Sequence, residues 1–440
     1  MNKNYVVLFD NVIFKKRYND WFFIKTKDSN ERYIVGKESE KILISLFKGN
    51  TIGITSKQYG VQPKEMEKYL ESLASLGLVY RANKKIISAD KCFNVYPPID
   101  AIDLQLTNSC NLRCSHCFTS GGNFKKNELS GKEWVNIISQ AQKIGVFKLN
   151  ISGGEALLHK DFSLIAEYLT DKPFEINLNT NGTITIDKHL AFLKSIYSVQ
   201  VSIDSDKETT HDKFRGVRGS FKKSIKTIET LILNGVNLKI ASSLGTNSLS
   251  SIDGIISICE KMGVSGLRLG LIAPAGRGLA TKDNSITYNT LTKNNNELLN
   301  KYCQKFYELS ENKTKTELSL PFSPKGYITR LKQPKKYICG GDFLQMISIK
   351  PDGCVLPCGV LNNNFSCGNV KIQTLMDIWK SKKMKSFKLK KISDCPGCGR
   401  CVHSKYCNGP CMVMMNYEDK NLNKKDRVMC SFVEKIAEMQ

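Results

Sequence analysis

Cys110, Cys114 and Cys117 lie in the run Asn108-Ser109-Cys110-Asn111-Leu112-Arg113-Cys114-Ser115-His116-Cys117, three thiols within an eight-residue span. Three thiolates can hold three corners of a four-iron cluster and leave the last iron free for another ligand. That vacancy is what a catalytic cluster needs. Taken alone, the spacing also suits a zinc site or incidental thiols. A denser group follows: Cys339, Cys354, Cys358 five residues after Gly353, Cys367 and Cys395, then Cys398-x2-Cys401-x5-Cys407-x3-Cys411, and finally Cys430. These are too many sulfurs for one tetrahedral zinc, although a zinc ribbon stays an alternative reading for residues 395–411. Cys92, Cys259 and Cys303 stand alone and read as small buried hydrophobes.

Four more segments follow the first cysteine loop in order: Ser152-Gly153-Gly154-Glu155, Asn179-Thr180-Asn181-Gly182, Val201-Ser202-Ile203-Asp204 and His211-Asp212-Lys213-Phe214-Arg215-Gly216. Each alone reads as a turn at a strand end. Together they resemble the radical S-adenosylmethionine family, whose CxxxCxxC loop follows the first barrel strand and carries an aromatic residue before its third cysteine, matched by His116. The resemblance implies that Cys110, Cys114 and Cys117 hold a 4Fe-4S cluster whose open iron is chelated by S-adenosyl-L-methionine. An electron from that cluster would break the cofactor's carbon–sulfur bond and yield a 5′-deoxyadenosyl radical. It further implies that Gly153, Gly154 and Glu155 bring backbone close to the methionyl amino group, glycine permitting the approach. Ser202 and Asp204 would lie near the ribose hydroxyls, and Arg215 near the cofactor's carboxylate. Pro274-Ala275-Gly276-Arg277-Gly278 resembles a post-strand segment of the same subgroup, and a plain turn explains it nearly as well.

The later cysteines are similar to the SPASM extension of these enzymes. By that resemblance Cys398, Cys401, Cys407 and Cys430 hold one auxiliary 4Fe-4S cluster, and Cys339, Cys358 and Cys411 hold another. The second set is one ligand short, and Cys354, Cys367, Cys395 or a substrate thiolate could complete it.

Such loops need a rigid frame behind them. From Ile102 onward strand-like and helix-like runs alternate: Asp103–Leu106, a helix near 131–145, Lys148–Ile151, a helix near 162–169, Glu175–Leu178, Leu190–Leu193, Gln200–Ile203, Leu238–Ala241 and Leu267–Leu269. This is the pattern of a parallel α/β sheet; six countable units predict a partial (β/α)6 TIM-like barrel over 96–310 rather than a full eight-fold one. Tyr96-Pro97-Pro98 reads as the linker into it. Residues 1–95 read as a winged-helix unit. It has strands at Tyr5–Phe9, Trp21–Lys25 and Tyr33–Val35, helices at Ser39–Phe47, Thr55–Tyr59 and from Pro63 to Gly77, and a wing of Leu78–Tyr80 with Lys85–Ile87. Residues 311–440 are Lys-, Gly- and Cys-rich with little apolar patterning, so metal clusters are the expected staples of this SPASM domain.

With 440 residues, 41% hydrophobic and 24% charged, the chain reads as a soluble multidomain protein. No apolar stretch reaches membrane-spanning length, and Met1–Tyr5 is no signal peptide, so a cytoplasmic location is expected. Sixteen cysteines in a reducing compartment argue for metal ligation over disulfides. The net charge of +24 permits an anionic partner without choosing one. Runs such as Lys382, Lys383, Lys385, Lys388, Lys390 and Lys391 read as a solvated helix face. In peptide-modifying relatives a winged-helix module at this position resembles the element that binds a precursor's leader by adding a strand to a sheet edge. The implied function is a peptide maturase that installs a cross-link, a Cys thioether foremost, drawing electrons from a donor such as flavodoxin or ferredoxin. Carbon–carbon cross-linking is the alternative. Sulfatase-maturase chemistry ranks lower, because those enzymes carry Asp where this chain has Gly359. An iron–sulfur DNA-binding regulator is the distant alternative; Lys64 and Lys68 are the only bases of the third helix, so nucleic acid is not the expected partner.

Overall fold

The computed structural model describes residues 5–17, 20–27, 31–272, 274–280, 286–311, 314–320, 345–403, 407, 409–418 and 425–438. In the first unit, strands Tyr5–Leu8 (β1), Val12–Arg17 (β2), Asp20–Lys25 (β3) and Arg32–Val35 (β4) precede helices Lys37–Phe47, Ile52–Tyr59 and Pro63–Ser75. Val79–Ala82 (β5) and Cys92–Phe93 (β6) complete it. The Thr51 hydroxyl caps the second helix by accepting from Ile54 N at 3.2 Å, and Pro63 opens the third where a missing N–H costs nothing. Phe14, Trp21, Phe23 and Phe47 pack as an aromatic core, Phe14 on Trp21 at 4.5 Å between ring centroids.

Two expectations for this unit change. Lys85–Ile87 forms no strand, and Ile87 is 58% exposed; β5 pairs antiparallel with β1 instead. The strand β2, absent from the sequence reading, occupies the interior of a sheet ordered β4-β3-β2-β6. Val12, Ile13, Phe14 and Lys15 are all buried, so this strand lacks the alternation that betrays one.

The barrel is built from Ala101–Gln105 (β7), Lys148–Ser152 (β8), Glu175–Thr180 (β9), Ser198–Ser202 (β10), Leu238–Leu244 (β11) and Gly266–Leu271 (β12), parallel neighbours in chain order. The sheet continues past residue 310. Glu317–Ser319 (β13) pairs with β12 at one edge, while Met346–Ile349 (β14) runs parallel beside β7 at the other. Cys354–Leu356 (β15) and Gly368–Asn369 (β16) add antiparallel strands there. The strands β14 to β16, of which β15 carries Cys354, thus cover an edge that a six-stranded sheet would leave unpaired.

Ile102, Leu104, Leu149, Ile151, Ile176, Leu178, Val199 and Val201 face the outer helices, whose Trp134, Ile137, Phe162 and Ile165 share their core. The helix Gly131–Lys143 carries a full capping box between Ser130 and Glu133. Alternate strand residues face inward and are polar. Asp103, Asn150, Asn177 and Ser198 are register neighbours on β7 to β10, linked by Asn150 Nδ2 to Asp103 Oδ1 (2.8 Å), Asn177 Nδ2 to Asn150 Oδ1 (3.3 Å) and Ser198 Oγ to Asn177 Oδ1 (2.6 Å). Above them, Gln200 donates to Asn179 at 2.6 Å and Gln105 to Ser348 at 3.2 Å.

The first unit docks on the opening of β7 and β8 through Lys15. Its fully buried ammonium lies 3.3 Å from the equally buried Asp100 and donates to Gly145 O at 2.7 Å and to Ile99 O. Phe93, Ile13 and Ile24 pack with Phe147 around this joint. Among the described residues no helix is long and apolar enough to cross a membrane. In the lysine run of helix Lys382–Lys388, Lys388 leaves the expected solvated face: it is 5% exposed and donates to Pro357 O at 2.8 Å and to Met346 O. Buried carbonyls of β14 and of the residue before Cys358 supply the acceptors that make this inward turn favourable.

Candidate active site

The Cys110–Cys117 loop follows β7 and is pinned from three sides. Cys110 N donates to Gly122 O at 2.7 Å, and Arg113 N and Ser115 N donate to Arg215 O and Phe214 O, each at 3.1 Å. From the far edge of the barrel, Arg277 donates through Nε to Cys114 O and through Nη1 to Gly121 O, both at 2.8 Å, while its own N–H reaches Cys117 O at 2.9 Å. Gly276 has φ of +55°, and a Cβ there would stand 2.4 Å from the Cys117 and Phe118 carbonyl oxygens. Pro274–Gly278 is therefore a clamp on the cysteine loop rather than a plain turn.

The segment Ser152–Glu155 packs directly beneath. Gly154 N donates to Thr107 O at 2.7 Å, and a Cβ on Gly154 would lie 2.4 Å from Ser109 O. The Glu155 carboxylate is 1% exposed and points into the protein, accepting from Asn181 N (2.8 Å), Thr180 Oγ1 (2.9 Å) and Leu157 N (3.3 Å). Burial raises its pKa, and those three donors oppose the rise. Its job in the fold is to tie this turn to Asn179–Gly182, whose Asn181 amide reaches toward Cys110 Sγ at 4.0 Å.

Arg215 and Asp204 form a buried pair, Nε to Oδ2 at 2.6 Å, and Arg215 Nη1 lies 3.8 Å from Cys114 Sγ. Burial alone would raise the Asp204 pKa; Arg215 first, then His116 and His211, hold it below the usual carboxylate range. His116 stacks on Phe214 with 4.2 Å between centroids and sits 4.0 Å from Asp204 Oδ2. Burial pushes the His116 pKa down to about 4, so the ring is neutral at pH 7. Ser202 is half-buried at the end of β10, one register step below the Asp204 turn.

Cys110, Cys114 and Cys117 are free thiols, close enough that Cys114 and Cys117 add to the rise that burial gives Cys110, and Cys117 adds to that of Cys114. Burial is the main cause raising Cys110 to about 11. The same holds in the C-terminal region, where burial pushes Cys407 to about 11 and Cys430 to about 12, with Cys398 acting on both and Cys401 on Cys407. Cys398 is within electrostatic range of Cys401, Cys407 and Cys430, and the Asp426 charge acts on Cys398, Cys407 and Cys430. Cys358 and Cys411 share an apolar cluster with Cys354, Cys395 and Cys398. Cys354 and Cys367 are buried beside each other, Cys354 Sγ donating to Ser366 Oγ at 3.2 Å. Cys339 lies outside the described residues. Sequence reasoning passed over Phe214, Arg277 as a clamp, Lys388 and the inward-facing Asp103 and Gln105. The alternation in Ala101–Gln105 and Lys148–Ser152 was the available signal for the last two.

The residues fit an iron–sulfur cluster and its cofactor. Three free thiols project from one clamped loop, and the buried ring nitrogens Nδ1 of His116 and Nε2 of His211 have no hydrogen-bond partner among the described residues. An open barrel with three cysteines on the loop after its first strand, and a cysteine-rich extension on its sheet edge, defines a class of radical-generating iron–sulfur enzymes. Residues 104–247 match the radical SAM superfamily and residues 339–402 the SPASM iron–sulfur cluster-binding domain: the chain is a radical SAM enzyme with a SPASM domain, using 4Fe-4S clusters and S-adenosylmethionine. It is 27% identical over 341 residues to the AdoMet-dependent heme synthase of Nitratidesulfovibrio vulgaris, covering 71% of this chain and 87% of that protein. It is 32% identical over 184 residues to the sporulation killing factor maturation protein SkfB of Bacillus subtilis, covering 41% and 44%. In fold it is similar to Streptococcus suis SuiB bound to precursor peptide SuiA, with a TM-score of 0.73, 17% identity, and coverage of 96% of this chain and 99% of that one.

Proposed function

We propose that this enzyme matures a ribosomally made precursor peptide by installing a cross-link, a thioether from a Cys side chain foremost. The observation that carries this reading is the first unit, whose outer strand β4 is an edge in its described sheet, with Ile34 67% exposed on it. Such an edge offers backbone donors and acceptors to a leader segment, and flanking side chains give selectivity. The fold similarity to SuiB, which spans this unit as well as the barrel, supports the same reading.

Cys110, Cys114 and Cys117 would hold the radical cluster, while Gly153, Gly154, Glu155, Ser202, Asp204 and Arg215 frame the S-adenosylmethionine side of the loop. Cys398, Cys401, Cys407 and Cys430 would hold one auxiliary cluster, with Cys358, Cys411 and Cys339 serving a second. Bound there, these groups supply a carbon-centred radical that takes a hydrogen atom from the peptide. The protein's own part is to clamp the loop through Arg277, keep His116 neutral and surround the peptide with the polar lumen. A flavodoxin- or ferredoxin-like donor and a cytoplasmic setting go with this chemistry.

The test is mass spectrometry of a short Cys-containing peptide encoded beside the gene, after anaerobic incubation with enzyme, reductant and S-adenosylmethionine. Loss of two hydrogens with failure of a Cys to alkylate is the expected result. The same loss with all thiols free to alkylate would move the product to a carbon–carbon bond. An unchanged peptide alongside 5′-deoxyadenosine release would count against that peptide as substrate.

A further inference from the structure

Joining sulfur to carbon requires the thiol to give up its proton, and the barrel holds few carboxylates that could receive it. Glu155 is sealed, with its oxygens bonded to Asn181, Thr180 and Leu157. Asp204 is paired with Arg215, and Glu175 with Lys148. Glu128 accepts from Asn108 N, Lys125 N and the Thr107 hydroxyl. Asp103 differs. Its Oδ1 accepts from Asn150 Nδ2 at 2.8 Å, whereas Oδ2 carries no hydrogen bond among the described residues and is not sealed from solvent.

Its position suits the task. Asp103 stands at the middle of β7, paired in register with Asn150 on one side and Ser348 on the other, on the inner face of the sheet. The cysteine loop begins a few residues further along the same chain, and Cys358 is near enough to feel the Asp103 charge. The charged groups around it are Arg268 on β12 and Lys388 on the helix packed behind β14; Asn150 and Ser348 are its neutral neighbours. Gly359, next to Cys358, offers no side chain, and a Cβ there would stand 2.7 Å from Gln105 Nε2 and Ser348 Oγ. This wall therefore takes its acid from β7.

We propose that Asp103 is a catalytic residue, its open carboxylate oxygen taking the proton of the substrate thiol as the cross-link forms. The proposal rests on the peptide-maturase reading above. The S–H bond breaks, an O–H bond forms on Oδ2, and the electron pair stays on sulfur to make the new bond to carbon. The carbon that has lost a hydrogen atom already carries one electron, so the new bond leaves one electron surplus. An iron–sulfur cluster held by the C-terminal cysteines would be its acceptor. Burial raises the Asp103 pKa against the pull of Asn150, Arg268 and Lys388, which brings its proton affinity nearer that of a working base.

The experiment compares full-length wild type, Asp103→Asn and Asp103→Glu on one cross-linkable precursor, reading kcat and KM for the peptide. Asn matches Asp in shape and can still accept from Asn150, so folding and cluster content should match wild type, checked by circular dichroism and iron analysis. Loss of a positioned base lowers rates by roughly 10²–10⁴-fold. Asp103→Asn is expected to lower kcat on that scale with KM within a few-fold of wild type, and Asp103→Glu to recover part of it. A kcat near wild type in Asp103→Asn, or a loss expressed in KM alone, overturns the assignment. A wild-type enzyme that cleaves S-adenosylmethionine and leaves every Cys precursor unmodified overturns the peptide reading and the role of Asp103 with it.

Discussion

Arg277 reaches the cysteine loop from the opposite edge of the sheet, and its two 2.8 Å bonds to Cys114 O and Gly121 O come from a charged donor. Such bonds contribute about 1.5–3 kcal/mol each, so Arg277→Ala should loosen the loop without unfolding the barrel. Iron should pass to a chelator several-fold faster, and a wild-type release rate would mean that the loop holds itself. His211 makes a different prediction. Burial, helped by Arg215, pushes its pKa down to about 4, while its Nδ1 accepts from Asp204 N at 3.3 Å. Between that value and the ordinary value near 6.5, the unfolded chain binds the extra proton. Stability then falls with falling pH across this window, by about 1.4 kcal/mol per unit. His211→Gln should show a flatter dependence of urea midpoint on pH from 6.5 to 5, and an equal slope in both proteins would exclude His211 as the source. The cysteine groups stood out in the sequence because their spacing is short and local. Arg277, Phe214 and Lys388 were not, since each acts on residues far away in the chain.

At the scale of elements, one buried ion pair joins two units of the fold. Lys15 on β2 and Asp100 before β7 are both fully buried at 3.3 Å, and each would be costly alone. Lys15→Met leaves the carboxylate without its ammonium, a loss of about 3–5 kcal/mol for a buried pair broken on one side. Lys15→Met with Asp100→Asn should regain most of it, because the remaining buried group is then neutral; urea denaturation of the three proteins measures both effects. A single variant as stable as wild type would show that water reaches the joint. The six parallel strands of the barrel were readable from alternating strand and helix runs. The strand β2 was hidden because both of its faces are covered, one by the aromatic core and one by the barrel. The strands β13 and β14 were hidden for another reason: they are short and their partners are distant in the chain, β12 beyond the helical stretch Tyr288–Glu311 and β7 at the start of the barrel. Composition suggested a region separate from the barrel, where pairing instead makes it the sheet's own edge.

For the whole molecule, the docking geometry sets a length requirement on the substrate. The first unit rests on Asp100, Gly145 and Phe147, at the openings of β7 and β8, while Cys110, Cys114 and Cys117 follow the far end of β7. A leader held on β4 and a residue modified beside the cysteine loop therefore sit at opposite ends of the barrel. A strand such as Ala101–Gln105 spans about 17 Å at roughly 3.3 Å per residue, and an extended peptide advances at the same rate. At least about six residues must separate the segment bound at β4 from the cross-linked position. Precursors with the spacer shortened below that length should bind as tightly as the parent, measured by fluorescence anisotropy, and lose cross-linking in the mass spectrum. Insertions in the spacer should be tolerated, because the entropy cost of a longer flexible loop grows only slowly with length. Cross-linking that survives a two-residue spacer would place the leader at the cysteine end of the barrel and rule out β4 as its binding edge.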